Sequence, residues 1–124
     1  MEYIAGSCNI GKGEVRQRQV VALIGLVLVI ATTIGLIASE SSKSARLTVL
    51  LPALVFSVGF IQSRRKFCLA YGFMGTFNFG PLGKLSKVAT PADRKADRKT
   101  AISILVQALA LALTITLIIY LLPL

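Results

Sequence analysis

The residues of this sequence best suited to chemistry are its two cysteines, Cys8 and Cys68. A thiol attacks as its thiolate, and cations gathered around the sulfur favour that form. Arg16 and Arg18 follow shortly after Cys8, and Arg64, Arg65 and Lys66 come just before Cys68. One expectation is therefore a reactive or sulfur-carrying thiol pair. The competing expectation makes Cys68 a small buried hydrophobe and Cys8 incidental. A cytoplasmic setting would disfavour a standing disulfide between them.

Other chemistry is scarce. The chain has no His, and neither cysteine belongs to a CxxC pair. A zinc, haem or iron–sulfur centre cannot be assembled from such a set, so no cofactor and no metal are expected. The commonest general base is missing as well. The glycines at 72, 75, 80 and 83 lack a Lys and Ser/Thr in the pattern of a phosphate-binding loop. Catalysis by this chain is not expected.

The elements that must position the cysteines are dictated by composition. The 124 residues are 55% hydrophobic, with a mean hydropathy of +0.76. A soluble domain of this size has too little interior to hide so much apolar surface. Three charge-free runs, 19–39, 47–63 and 100–124, approach or exceed the roughly 20 apolar residues needed to cross a bilayer. The first starts too far into the chain, and is too long, for the apolar core of a secretory signal. The second contains Pro52 and ends against Arg64, Arg65 and Lys66, whose stems can snorkel to headgroups. The expected fold is an all-α membrane protein. It has a basic arm over 1–18, a hairpin of two spans over 19–63, a connection over 64–99 and a third span over 100–124.

No Lys, Arg, Asp or Glu lies inside these runs. Ion paths and proton relays usually carry such groups within the membrane, so a transporter acting alone is disfavoured. A small oligomeric channel stays open as an alternative, since Thr32, Thr33, Thr114 and Thr116 could line a polar seam. Ala31/Gly35, Ala53/Ser57 and Ala108/Ala112 are small-xxx-small pairs, which let helices approach closely in lipid. Three spans bury little surface among themselves, which favours another membrane protein or self-association as partner.

The chain carries 14 Lys+Arg against 5 Asp+Glu, a net charge of +9. The charges are confined between apolar runs, which points to anionic lipid rather than nucleic acid. With three spans, the arm and the 64–99 connection share one side. Only Lys43 and Arg46 then lie opposite. By the positive-inside rule the basic side is cytoplasmic, giving an N-in, C-out topology. Arg16, Arg18, Arg64, Arg65 and Lys66 are the expected headgroup contacts.

Residues 67–83 carry no charge but four of the six Phe, together with Tyr71 and the repeated glycines. Aromatics favour the membrane interface, whereas glycine weakens helices. The stretch is expected to lie along the interface or to form a re-entrant turn. After it, Thr90-Pro91-Ala92-Asp93 has the form of a helix start. The tandem ADRKADRK then reads as a solvated helical lead into the third span.

The order Glu14-Val15-Arg16-Gln17-Arg18, a span with Gly25, a second span ending in Gly59, and then Cys68-Leu69-Ala70-Tyr71-Gly72 resembles the YgaP-like two-helix inner-membrane domain of bacteria. The resemblance covers about residues 8–80. Ala70 departs from the family's Cys-Pro-Leu-Tyr type segment, and the third span has no counterpart. The family sometimes adjoins a rhodanese domain, which implies sulfur handling at a bacterial inner membrane and makes Cys68 the one position to carry over. The expected function is a small non-enzymatic accessory or assembly subunit. A thiol-dependent sulfur-transfer or redox-sensing protein is the alternative.

Overall fold

The computed structural model describes residues 3–79 and 85–123. Part of the aromatic and glycine-rich stretch, residues 80–83, and the neighbouring Lys84 lie outside them. Three helices dominate: α1 (Lys12–Ala38), α2 (Leu50–Arg65) and α4 (Pro91–Tyr120). A 3₁₀ helix, Lys43–Val49, leads into α2, and the two together run from Lys43 to Arg65. Each of the three units is long and apolar enough to cross a membrane. α2 packs against both other long helices.

The chain is not all-α. After α2, a short helix α3 (Leu69–Met74) is followed by two-residue strands β1 (Thr76–Phe77) and β2 (Ser86–Lys87). The strands pair antiparallel, Thr76 opposite Lys87 and Phe77 opposite Ser86. Ile10 forms a parallel bridge to Asn78, which draws the N-terminal segment into the same cap. Four residues of ladder are too few to leave a strand signature in hydropathy, so the sheet was not expected.

Helix starts and stops follow local chemistry. Thr90 caps α4 as its sequence predicts: its hydroxyl accepts from Asp93 N, and Pro91 takes a first-turn position where no N–H is needed. At 30 residues α4 is about 45 Å long, more than a hydrocarbon core of about 30 Å requires. Its charged first turns therefore project beyond the apolar part. α1 likewise begins at Lys12, so Glu14, Arg16 and Arg18 stand on a helix that runs on into the apolar run.

The long helices meet through small residues. Ala53 and Ser57 of α2, and Ala108 and Ala112 of α4, are buried. Ala31 and Gly35 are exposed, and nothing approaches the place of a Cβ on Gly35. Gly25 and Gly59 instead make the tightest crossing. A Cβ on Gly59 would stand 2.8 Å from Ala22 N.

At the end opposite the cap, Arg46 is buried and donates from Nη1 to Ile119 O, Tyr120 O and Leu122 O. It supplies donors and positive charge to the carbonyl end of α4, which a helix cannot satisfy itself. Lys43 Nζ lies 5.1 Å from the Tyr120 ring centroid. Both basic residues of the short connection thus serve the end of the third helix.

Candidate functional site

At the basic end the chain builds a polar cluster from four separate segments. Asn9 is fully buried, and its side chain takes both main-chain groups of Cys68. Oδ1 accepts from Cys68 N at 2.7 Å, and Nδ2 donates to Cys68 O at 3.2 Å. The Asn9 main chain is used too: its N–H donates to Lys66 O and its carbonyl accepts from Asn78 N. Gln62, on the last turn of α2, accepts from Leu69 N. A buried asparagine satisfied this fully acts as a staple, because a lost partner would leave polar groups stranded away from water.

The staple fixes Cys68 beside α1. Arg18 Nη2 donates to Cys68 Sγ at 3.1 Å, while its Nη1 pairs with Glu14 Oε2 at 3.0 Å. Tyr71 OH donates to the same Glu14 oxygen at 3.1 Å. The spacing explains the assembly: Glu14 and Arg18 are one helical turn apart on α1, and Cys68 and Tyr71 stand one before and three into the start of α3. Burial, followed by the hydrogen bond to Glu14 and its negative charge, raises the Tyr71 phenol above its ordinary value, against the opposing Arg18 cation.

A second buried anion closes the cap. Asp97, in the second ADRK repeat, is fully buried. It accepts from Tyr3 OH at 2.6 Å and Gly6 N at 2.7 Å, and Thr100 Oγ1 donates to Gly6 O at 2.6 Å. Burial and then the bond to Asp97 raise the Tyr3 phenol. The solvated lead predicted from ADRKADRK is thus corrected at one residue. Asp97 clamps the N-terminal segment, while Arg94, Lys95, Arg98 and Lys99 of the same repeats remain exposed.

The cations named from sequence separate into two groups. Arg18 is turned inward on Cys68 and Glu14. Arg16, Arg64, Arg65 and Lys66 are exposed, and the Arg64 guanidinium lies 5.7 Å from the Phe60 ring centroid. Lys12, Arg16 and Lys66 border an open groove of about 490 Å³ together with Val15 and Gln19. Lys12, a basic residue of the N-terminal arm that was not among the expected headgroup contacts, joins this group.

The Cys8 thiol is partly exposed and the Cys68 thiol is buried. Their segments lie side by side, because the residue after Cys8 is the asparagine that holds Cys68. Cys68 also borders a groove of about 460 Å³ that begins at Gln17, Arg18 and Gln62 and runs down to Val21, Val58 and Leu105. Among the described residues, no group of three or more His, Cys, Asp or Glu could hold a metal ion. Asn9 and Asp97 were not singled out by sequence reasoning, and Glu14 only as the first residue of the 14–18 segment. For Glu14 the available signal was an acid four residues before an arginine; for Asn9 and Asp97 there was none.

The chain matches no family model, and no curated protein or solved structure aligns with it.

Proposed function

We propose that this chain is a small non-enzymatic protein of the bacterial inner membrane, an accessory or assembly subunit that docks through its spans and holds anionic lipid with its basic, cytoplasmic end. The observation that carries this is how little of the apolar helices the bundle covers. Within the most apolar stretches, 11% of α1, 28% of the Lys43–Arg65 unit and 22% of α4 is buried. Leu23, Ile34, Leu51, Leu113 and Leu117 are each more than half exposed. Such surface requires lipid or another membrane helix around it.

The groove between Lys12, Arg16 and Lys66 supports the lipid half of the proposal. Each such cation contributes about 1 kcal/mol near an anionic surface. Mass spectrometry of what co-purifies with the tagged full chain from native membranes in mild detergent tests the docking half. A stoichiometric membrane protein is the expected result; recovery of the chain with lipid alone sinks the accessory role.

A second function is favoured by the hydrogen bond from Arg18 to Cys68 Sγ. A thiol that borders a groove and is held by a cation suits sulfur transfer or redox sensing, as the YgaP-like resemblance implies for Cys68. Replacing both cysteines with serine separates the two proposals. Growth and assembly persist if the chain is an accessory subunit and fail if the thiols are its working groups.

A further inference from the structure

Helix α4 has two opposed faces. Asp97, Ala101, Ile104, Ala108, Ala112 and Thr116 are buried against the rest of the bundle. Across the helix from them, Ser103, Gln107, Ala110, Thr114 and Leu117 follow one another at alternating steps of four and three residues. That repeat averages 3.5 residues, the spacing that keeps one seam facing a neighbouring helix along its whole length. All but the half-buried Ser103 are exposed.

Gln107 is out of place on such a face. It lies about 12 Å along the helix beyond Lys99, the last charge, and about 20 Å short of Tyr120. Its Nε2 donates to Ser103 Oγ at 3.1 Å, and among the described residues this is the one hydrogen bond of its side chain. The Thr114 hydroxyl, two turns on, is returned to Ala110 O of its own helix at 2.7 Å. A primary amide whose carbonyl faces hydrocarbon is costly, since lipid offers no donor.

We infer that this face of α4 is where two copies of the chain pair, with the Gln107 amides of the two copies bonded to each other across a two-fold axis. The amide is both donor and acceptor, so it is its own complement. Two copies inserted in the same sense place their Gln107 residues at one depth, which a different helix would match only by carrying a polar side chain of its own there. Ala110 lets the backbones approach at the next step of the seam, and Thr114 adds a hydroxyl at the following one. The bundle needs no rearrangement, because the face that packs inside each copy lies on the other side of the helix. The inference rests on the proposed membrane embedding and supplies one docking partner, a second copy.

The test is cysteine cross-linking of the full chain in native membranes. Single cysteines at 107, 110 and 114 are placed in a background carrying Cys8→Ser and Cys68→Ser, with Ile102→Cys and Leu109→Cys as controls on other exposed faces of α4. Oxidation should give a disulfide dimer at 107, 110 and 114 and little at 102 or 109. In the otherwise unaltered chain, Gln107→Leu should weaken self-association about tenfold by energy transfer in vesicles, and Gln107→Asn should retain part of it. Equal cross-linking on all faces, or self-association unchanged in Gln107→Leu, overturns the inference. Adducts of 107 and 114 with a different protein, and none with a second copy, also overturn it while leaving the accessory role intact.

Discussion

Gly25 of α1 lies directly against Phe56 of α2, so close that a Cβ on the glycine would stand 2.6 Å from Phe56 Cα. The neighbour is main chain, which cannot swing aside as a side chain can. Gly25→Ala should therefore cost about 1–3 kcal/mol through overpacking. Gly35→Ala, where the added methyl meets nothing, should be neutral or gain a few tenths to about 1 kcal/mol from helix propensity. Thermal unfolding in mild detergent checks the pair, and equal effects at the two positions would refute this account of the crossing.

Arg18 and Arg16 sit two residues apart on α1 but point to different work. Arg18→Met leaves the carboxylate of Glu14, which is 4% exposed, without its cation and should cost about 1–3 kcal/mol of stability. Arg16 is exposed, and Arg16→Met should move stability by no more than about 0.5 kcal/mol. It should instead weaken binding to anionic vesicles about fivefold, the equivalent of one surface cation. Chemical denaturation and vesicle flotation of both variants read the two effects separately. A stable Arg18→Met variant would remove Arg18 from the cluster.

What was legible in the sequence is what bulk apolarity and charge decide. Three runs free of charge gave the three long helices, and Thr90-Pro91 marked the start of the third. The cap was not legible, because it depends on single polar residues acting across long separations. Asn9 reaches Cys68 and Asp97 reaches Tyr3, and neither pairing leaves a periodic trace. Asp97 even stands in a repeat whose four cations are exposed, so its pattern argued for solvent. Small residues were legible in part, since Ala53/Ser57 and Ala108/Ala112 are buried. Ala31/Gly35 has the helix-packing spacing and lies on an open face, while Gly25 is buried without needing it. Spacing along one helix does not reveal which face its neighbour will take.

The thiols should differ in reactivity because the fold places them differently. Cys8 is partly exposed and Cys68 is 4% exposed. A maleimide added to the purified protein should modify Cys8 first, with Cys68 following at least tenfold more slowly. In sealed right-side-out vesicles an impermeant reagent should modify neither, since the proposed topology puts both inside. Mass spectrometry of timed samples gives site and order together. Labelling of Cys8 in sealed vesicles would reverse the topology.

Tyr71 should confer a stability that disappears in alkali. Its neutral phenol donates to Glu14, and burial together with that carboxylate holds the folded-state value above the ordinary one near 10. The unfolded chain loses the phenolic proton first as pH rises. The contribution of Tyr71 is therefore complete below about pH 10 and falls away between there and the raised folded value. The ultraviolet difference between the native chain and Tyr71→Phe should show a phenolate transition displaced above pH 10. Unfolding of the native chain should become easier through the same interval, while Tyr71→Phe lacks that part of the loss. Adding Glu14→Gln removes the negative charge and leaves an acceptor, so the phenolate transition should move back towards pH 10. A transition that stays put in Glu14→Gln would assign the displacement to burial and the hydrogen bond rather than to the carboxylate charge.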